Sequence, residues 1–228
     1  MRTFRIIATA VALTALTGCV TVGPKLKPVQ MYRFGFDPAL LDDKAALTAG
    51  GNGMPPVGVV LGTVTFPQDS GGDRITTVEG NEVSYVSQSR WTAPAQELFN
   101  EAVSAGFGYS DRVRLESRGP SAANYRLDIA VRQFESDYSH NRPTVAIEFD
   151  ARLIRLDDKA VVGDKYITES IPVGHNDMSM MADTYDKATT RAVAQLIAFC
   201  QDTLVTAGGT QTPTPEQPSD GTQKVEGL

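Results

Sequence analysis

Little in this chain is suited to covalent chemistry. Two cysteines, two histidines and one tryptophan are spread over 228 residues. Cys19, Cys200, His140 and His175 are too few and too scattered for a metal site of the Cys/His type. Both histidines fall in polar stretches that read as loops. No Gly-x-Ser-x-Gly elbow is present, although a triad assembled in space stays open at this level. The run Gly50-Gly51-Asn52-Gly53 leads into Pro55-Pro56 rather than into Gly-Lys-Ser and a helix, which removes a phosphate loop. An excess of positive charge is also lacking: the net charge of -6 disfavours nucleic acid and a polybasic membrane patch. The apolar run from Ile6 to Leu16 is shorter than the about 20 residues that span a bilayer. Acidic pairs exist, but Asp42-Asp43 and Asp157-Asp158 read as turns. Glu148 and Asp150 fall on the wet side of a strand, so no cleft for a glycosidase-type carboxylate pair is indicated. Met178, Met180 and Met181 could form a soft copper-binding patch, but at helical spacing they read first as core.

What the N-terminus does contain is a leader. Met1-Arg2-Thr3-Phe4-Arg5 is basic, the apolar run follows, and Leu16-Thr17-Gly18-Cys19 closes it. A basic region, a short apolar region and small residues before a cut site make a secretory signal. Leu-Thr-Gly-Cys also resembles the bacterial lipobox, in which cleavage leaves the cysteine as an acylated first residue. Residues 1–18 are therefore expected to be a lipoprotein signal peptide and Cys19 the lipidation site, carrying palmitate-type chains; several chains on one cysteine anchor stably. Val20 follows, not the Asp that commonly marks inner-membrane retention in enterobacterial lipoproteins. The expected location is thus the outer membrane, facing the periplasm, with the inner membrane as the alternative. With Cys19 acylated, Cys200 has no partner in the chain and reads as a buried helical thiol.

Residues 19–30 form a tether containing Pro24 and Pro28. From Gly208 onward Gly, Thr, Pro, Gln, Ser and acids dominate, so residues 207–228 are expected to be a disordered tail. Roughly 175 residues remain, which suits one domain over residues 31–206. Met31 to Phe36 alternates, with Tyr32, Phe34 and Phe36 on one face. Ala39 to Leu47 has room for one or two helical turns, and Ala49 to Gly53 reads as flexible. Val57 to Phe66 is apolar or small on both faces and reads as a central strand, with Gly58 and Gly62 allowing a helix to approach. Thr92 can cap a helix with Pro94 in its first turn and an apolar stripe of Leu98, Phe99, Ala102 and Val103; Gly106 ends it. Asp111 to Glu116 reads as a short strand, and Arg118 to Ser121 as a turn. Tyr125-Leu127-Ile129-Val131 and Val145-Ile147-Phe149-Ala151-Leu153 alternate with charged residues, and Val161 to Ile171 completes an antiparallel meander. Met178 to Val205 is a long helix with Met181, Tyr185, Ala188, Ala192, Leu196 and Phe199 on one side, capped by Ser179 or Asn176. The fold class expected is α/β: a mostly antiparallel sheet of about six strands, with two main helices packed on one face of a single domain.

The organising stretch is Arg74 to Trp91. Ile75 and Val78 lie in one arm of a hairpin, Glu79-Gly80-Asn81 is its turn with positive φ supplied by Gly and Asn, and Val83 and Tyr85 lie in the second arm. Arg90 and Trp91 end it, at the point where a strand must become a helix. Either Trp91 seals that junction as a buried aromatic, or Arg90 and Trp91 form an exposed docking pair of interface-enriched types. Arg90 alternates with Trp91 and is the better docking residue of the two.

Over roughly residues 31–205 the chain resembles the ABC-type transport auxiliary lipoprotein family, which includes the paraquat-inducible protein C group. The resemblance is carried by Tyr32-Arg33-Phe34, Val57 to Pro67, Arg74-Ile75 with Gly80-Asn81-Glu82-Val83, and Arg90-Trp91 followed by Pro94. Tyr125-Arg126-Leu127, Phe134-Glu135 and the long C-terminal helix complete it. Arg-Trp with the following Pro is the most specific piece. The resemblance implies a periplasm-facing lipoprotein that works with an MCE-type ABC transport system, moving lipids or other hydrophobic molecules between the inner and outer membranes. Its partner would be an MCE-domain protein, and homo-oligomer formation is left open. It implies no enzyme, no cofactor and no metal. A lipoprotein scaffold or regulator of cell-envelope synthesis is the alternative, and a periplasmic hydrolase a third.

Overall fold

A computed structural model of the protein describes residues 28–48, 55–116 and 123–208. The leader, Cys19, the tether as far as residue 27, the Gly-rich run 49–53, the turn at 118–121 and the tail from 209 lie outside the described residues. The described residues form eight strands: β1 (Gln30–Tyr32), β2 (Val57–Thr65), β3 (Arg74–Glu79), β4 (Glu82–Trp91), β5 (Val113–Leu115), β6 (Tyr125–Asp137), β7 (Thr144–Arg155) and β8 (Val161–Pro172). Two main helices, α1 (Ala95–Phe107) and α2 (Met178–Gly208), pack against the sheet. The fold is thus α/β with a mostly antiparallel sheet, of eight strands where about six were expected.

The sheet branches at β6. Along one edge β6 pairs antiparallel with β7 over its whole length, from Tyr125↔Arg155 to Asp137↔Thr144, and β7 pairs in turn with β8. Along the other edge two strands lie end to end. β2 runs parallel to the first half of β6, from Val59↔Tyr125 to Thr65↔Ala130, and β3 runs parallel to its end at Thr77↔Ser136 and Val78↔Asp137. β5 extends the sheet beyond β2, while β4 and then β1 extend it beyond β3. β2 is therefore interior, flanked on both sides, as its apolar faces require.

The alternation read in β6 and β7 holds: Leu127, Ile129, Val145, Ile147, Phe149, Ala151 and Leu153 are buried on the helix-covered face. A bulge between Val131 and Gln133 resets the phase, so that Phe134 and Ser136 also point inward. That bulge extends the useful core of β6 by a further turn of the pleat. Both helical stripes are buried: Leu98, Phe99, Ala102 and Val103 of α1, and Met181, Tyr185, Ala188, Ala192, Leu196 and Phe199 of α2. Burying each large apolar side chain stabilises the fold by about 1.5–3 kcal/mol. Cys200 is buried and free, its thiol pushed up to about 12 by desolvation.

Four local readings need correction, each for a physical reason. The first strand stops at Tyr32, because the amides beyond it are taken by α2: Gly35 N–H donates to Asp186 Oδ1 at 2.8 Å and Asp37 N–H to Thr190 Oγ1 at 3.1 Å. Arg33 to Asp37 becomes a strap across the helices, with Phe34 buried beneath it. Asp177, not Ser179 or Asn176, caps α2: its Oδ1 accepts from Met180 N–H at 3.0 Å and from the Ser179 hydroxyl at 2.8 Å. These bonds hold the Asp177 carboxyl below the usual range. Gly62 faces the Arg126 and Asp128 side chains rather than a helix; a Cβ there would lie 2.1 Å from Asp128 Oδ1. The glycine that serves helix contact is Gly106. It does not end α1 but lies one residue inside it, where a Cβ would lie 2.5 Å from Val193 Cγ1 of α2 and 3.2 Å from Phe36 Cδ2.

Gly106→Ala should therefore overpack the α1–α2 crossing and lower stability by about 1–3 kcal/mol, despite the better helix propensity of alanine. Urea unfolding checks this; an alanine variant more stable than the parent would refute the close crossing.

Candidate functional site

The junction of β4 with α1 is built from the backbone outward. The loop Gly71-Gly72-Asp73 lies against it and takes its free amides: Trp91 N–H donates to Asp73 O at 2.8 Å, Ala95 N–H to Gly72 O at 2.9 Å and Gln96 N–H to Gly71 O at 3.3 Å. Thr92 N–H goes to Tyr32 O at 2.8 Å, which ties β1 to the same corner. α1 begins at Ala95 after Pro94 with no side-chain cap, so the loop carbonyls do the work expected of Thr92.

Trp91 is 1% exposed and sits in an aromatic cluster. Its ring meets Phe34 and Tyr185 edge-on, each at 5.0 Å, and Phe134 packs at a tilt, 4.9 Å from Phe34 and 5.2 Å from Tyr185. Four separate parts of the chain thus meet at one point: the strap, the end of β4, β6 and α2. The Ser136 hydroxyl donates to Tyr185 Oη at 3.2 Å, and burial raises the Tyr185 phenol well above its ordinary value. Arg90 points the other way. It is exposed and its guanidinium pairs with Asp73 at 2.8 Å.

The hairpin beyond this junction has its own geometry. In its turn Gly80 takes positive φ, at 59°, and Asn81 does not, which is the pattern of a turn with glycine in its first central position. Gly80 N–H donates to Ser139 Oγ at 2.9 Å, and Tyr138 N–H to Val78 O at 2.7 Å, so the hairpin is stitched to the end of β6. Between Thr76↔Tyr85 and Arg74↔Arg90 the register shifts, and Gln88 in the extra segment has φ of 56°. The outer hairpin is thereby bent relative to the strands that carry it. Arg74 Cζ lies 3.6 Å from the centroid of the Tyr85 ring.

Three depressions among the described residues bear on the site. One of about 440 Å³ lies between α1, α2 and the strap, with Phe34, Phe36, Leu98 and Ala182 below and Asp37, Glu101, Asp183 and Asp186 around it. Burial, then the like charges of Asp37 and Asp183, hold the Asp186 carboxyl above the usual range, against the opposing effects of Gly35 N–H and Arg33. A second depression of about 410 Å³ lies on the open face of the sheet, among Asp128, Arg132, Asp150, Arg152 and Lys165. On that face Arg126 pairs with Asp128 along β6, Arg132 pairs with Asp150 across to β7, and Tyr166 donates to Glu148. The third, of about 300 Å³, lies on the hairpin among Thr77, Glu79, Glu82, Ser84, Val86 and Tyr138.

The remaining candidate residues are dispersed. His140 is exposed beside Asp137, with Nδ1 3.5 Å from Oδ2, and His175 is exposed in the loop before α2. Met181 is buried in the core, with Met178 and Met180 packed against it. Among the described residues no group of three His, Cys, Asp or Glu side chains is placed to hold a metal, and no helix is long and apolar enough to cross a membrane.

A two-layer α/β domain, with two main helices on one face of a mostly antiparallel sheet, is the class these features define. The family model described as ABC-type transport auxiliary lipoprotein component matches residues 40–197, and the chain belongs to that family. Among solved structures, a protein from Xanthomonas campestris is 22% identical with a TM-score of 0.64, covering 79% of this chain and 100% of its own. An uncharacterized protein is 11% identical with a TM-score of 0.58, covering 75% of this chain and 97% of its own. A hypothetical protein from Chlamydia trachomatis is 11% identical with a TM-score of 0.45, covering 63% and 97%. The first two likenesses concern the fold. No curated protein matches the chain. The family is one of envelope lipoproteins associated with ABC-type transport, not an enzyme family.

Trp91→Ala removes the centre of the aromatic cluster and should cost about 3–5 kcal/mol. Arg90→Ala breaks only a surface ion pair and should change stability by less than about 1 kcal/mol. Chemical denaturation followed by circular dichroism checks both; comparable losses would mean that the Arg90–Asp73 pair holds the junction.

Asp186→Asn tests the groove electrostatics. A carboxyl whose folded pKa is raised above its unfolded value subtracts stability when ionised, and that cost disappears as pH falls through the folded pKa. Asn keeps an acceptor for Gly35 N–H without the charge. The variant should melt higher than the parent at pH 7, and the advantage should vanish in mild acid. Equal melting temperatures at pH 7 would show that Asp186 carries no such cost.

Proposed function

We propose that the protein is a membrane-anchored periplasmic auxiliary lipoprotein of an MCE-type ABC transport system, acylated at Cys19. In this reading it assists the movement of lipids or other hydrophobic molecules between the inner and outer membranes and sits at the outer membrane. The observation that carries the reading is the family match over residues 40–197, to which the Leu16-Thr17-Gly18-Cys19 lipobox adds independent support. The role is that of a docking component: the exposed features are grooves and edges on a rigid two-layer body. Arg90 is the docking residue of the Arg90–Trp91 pair, and Trp91 acts from the core by fixing the end of β4 on which Arg90 stands. The partner in this reading is an MCE-domain protein, the signal peptide spans residues 1–18, and the anchor follows at Cys19.

Two measurements test it. Cys19→Ser should move the protein from the membrane to the soluble periplasmic fraction and remove the acyl mass from the mature N-terminus; an unmodified mature terminus elsewhere would overturn the anchoring. Co-purification from native membranes, with mass identification, should recover an MCE-domain protein, and Arg90→Ala should reduce the recovery without lowering stability. Recovery of cell-envelope synthesis enzymes in its place would favour a scaffold or regulator.

A further inference from the structure

The outer half of β4 is an open edge. β1 pairs with β4 only at Ser89, Arg90 and Trp91, and β3 occupies the other side from Glu82 to Tyr85. Among the described residues nothing pairs with the free side of β4 between Glu82 and Gln88. The turn contains two residues, Gly80 and Asn81, so Glu79 and Glu82 close the hairpin and direct their amides at one another. By alternation the N–H and C=O groups of Val83 and Tyr85 point outward, at the unoccupied side. Natural sheets usually cover or blunt such an edge. Here the bulge at Gln88 closes off one end, and the carboxylates of Glu79 and Glu82 stand across from each other at the other.

The two faces of the hairpin differ in chemistry. Thr77 is in register with Ser136, whose hydroxyl bonds Tyr185 of α2, so Thr77, Glu79, Glu82 and Ser84 share the helix-side face. They line the 300 Å³ depression floored by Val86 and Tyr138, and the charge on it is negative. The opposite face carries Val83, 46% exposed, and Tyr85 under the Arg74 guanidinium. A strand added to this edge would place alternate side chains over these two surfaces.

We propose that the free edge of β4 receives an extended segment of a partner protein in which basic and apolar residues alternate. Its backbone pairs with Val83 and Tyr85. Its basic side chains reach Glu79 and Glu82 on the helix side, and its apolar side chains cover Val83 on the other. The site stands on the hairpin geometry and does not require the partner to be an MCE protein.

The test uses the full chain in detergent and a capped nine-residue peptide alternating lysine and valine, with a glutamate-for-lysine peptide as control. The lysine peptide should bind saturably and slow hydrogen exchange at the amides of Val83 and Tyr85, while the glutamate peptide should not. The double variant Glu79→Gln, Glu82→Gln should weaken binding about tenfold through loss of two surface charge pairs. Val83→Pro removes an outward amide that β3 does not use, and should abolish binding with the fold retained. The proposal is overturned if the glutamate peptide binds equally, if protection falls outside β4, or if the glutamine variant binds as the parent does. It is equally overturned if the same amides become protected with rising protein concentration and no peptide, because a second copy would then be the occupant. Native-membrane co-purification reports separately on the MCE reading, so failure of one leaves the other standing.

Discussion

One strand sets the limits on everything else. β6 supplies both edges of the sheet's centre: a full antiparallel ladder to β7, and on the other side a single edge shared by β2 and β3 placed end to end. Two strands can share one edge only if the partner is long enough, and β6 is thirteen residues long because the bulge after Val131 lets it continue past its first phase change. Shorten it at the bulge and β3 loses its place; with β3 go β4, β1 and the corner where Trp91 packs. The hairpin that projects from the sheet is therefore a dependent of a strand more than fifty residues later in the chain, and its formation waits on non-local pairing.

The parts of this architecture legible in the sequence were those where one physical pattern acted alone. Leu98-Phe99-Ala102-Val103 and the Tyr185-Ala192-Phe199 stripe declare helices because each repeats at helical period and nothing competes. Val145 to Leu153 declares a strand in the same way. What stayed hidden depended on partners distant in sequence. The early alternation of Tyr32, Phe34 and Phe36 is a fair strand signal, yet Asp186 and Thr190, some 150 positions away, capture the amides and turn the segment into a strap. Gly106 reads as a helix end because glycine often is one; only the approach of Val193 shows that it marks a crossing. The phase shift at Val131–Gln133 leaves only a short trace, two polar residues in succession, Arg132 and Gln133, between the buried Val131 and Phe134.

The candidate site follows the same division. The alternation of Arg90 and Trp91 foretold opposite directions, and the structure places one in solvent and the other between Phe34 and Tyr185. The role of Gly71-Gly72-Asp73 in closing the amides of the helix start was not legible, because it rests on carbonyl groups that every residue has. Nor was the exposed side of β4: an unpaired edge is defined by what fails to arrive, and sequence patterns describe only what each segment can bury. The groove acids are a similar case. Asp37, Asp183 and Asp186 come from two distant segments and become neighbours only when the strap lies across α2.

The solitary indole has an optical consequence. Trp91 is held edge-on by Phe34 and Tyr185 with almost no water contact, so its emission reports on a single environment, the corner where strand, strap and helix meet. Every other aromatic in the chain is Tyr or Phe, and excitation at the red edge of the absorption band selects Trp91 alone. A partner that bends the hairpin or shifts α2 would alter the edge-on contacts of that ring before it altered the secondary structure. The molecule thus carries its own spectroscopic gauge at the joint between its projecting hairpin and its rigid body.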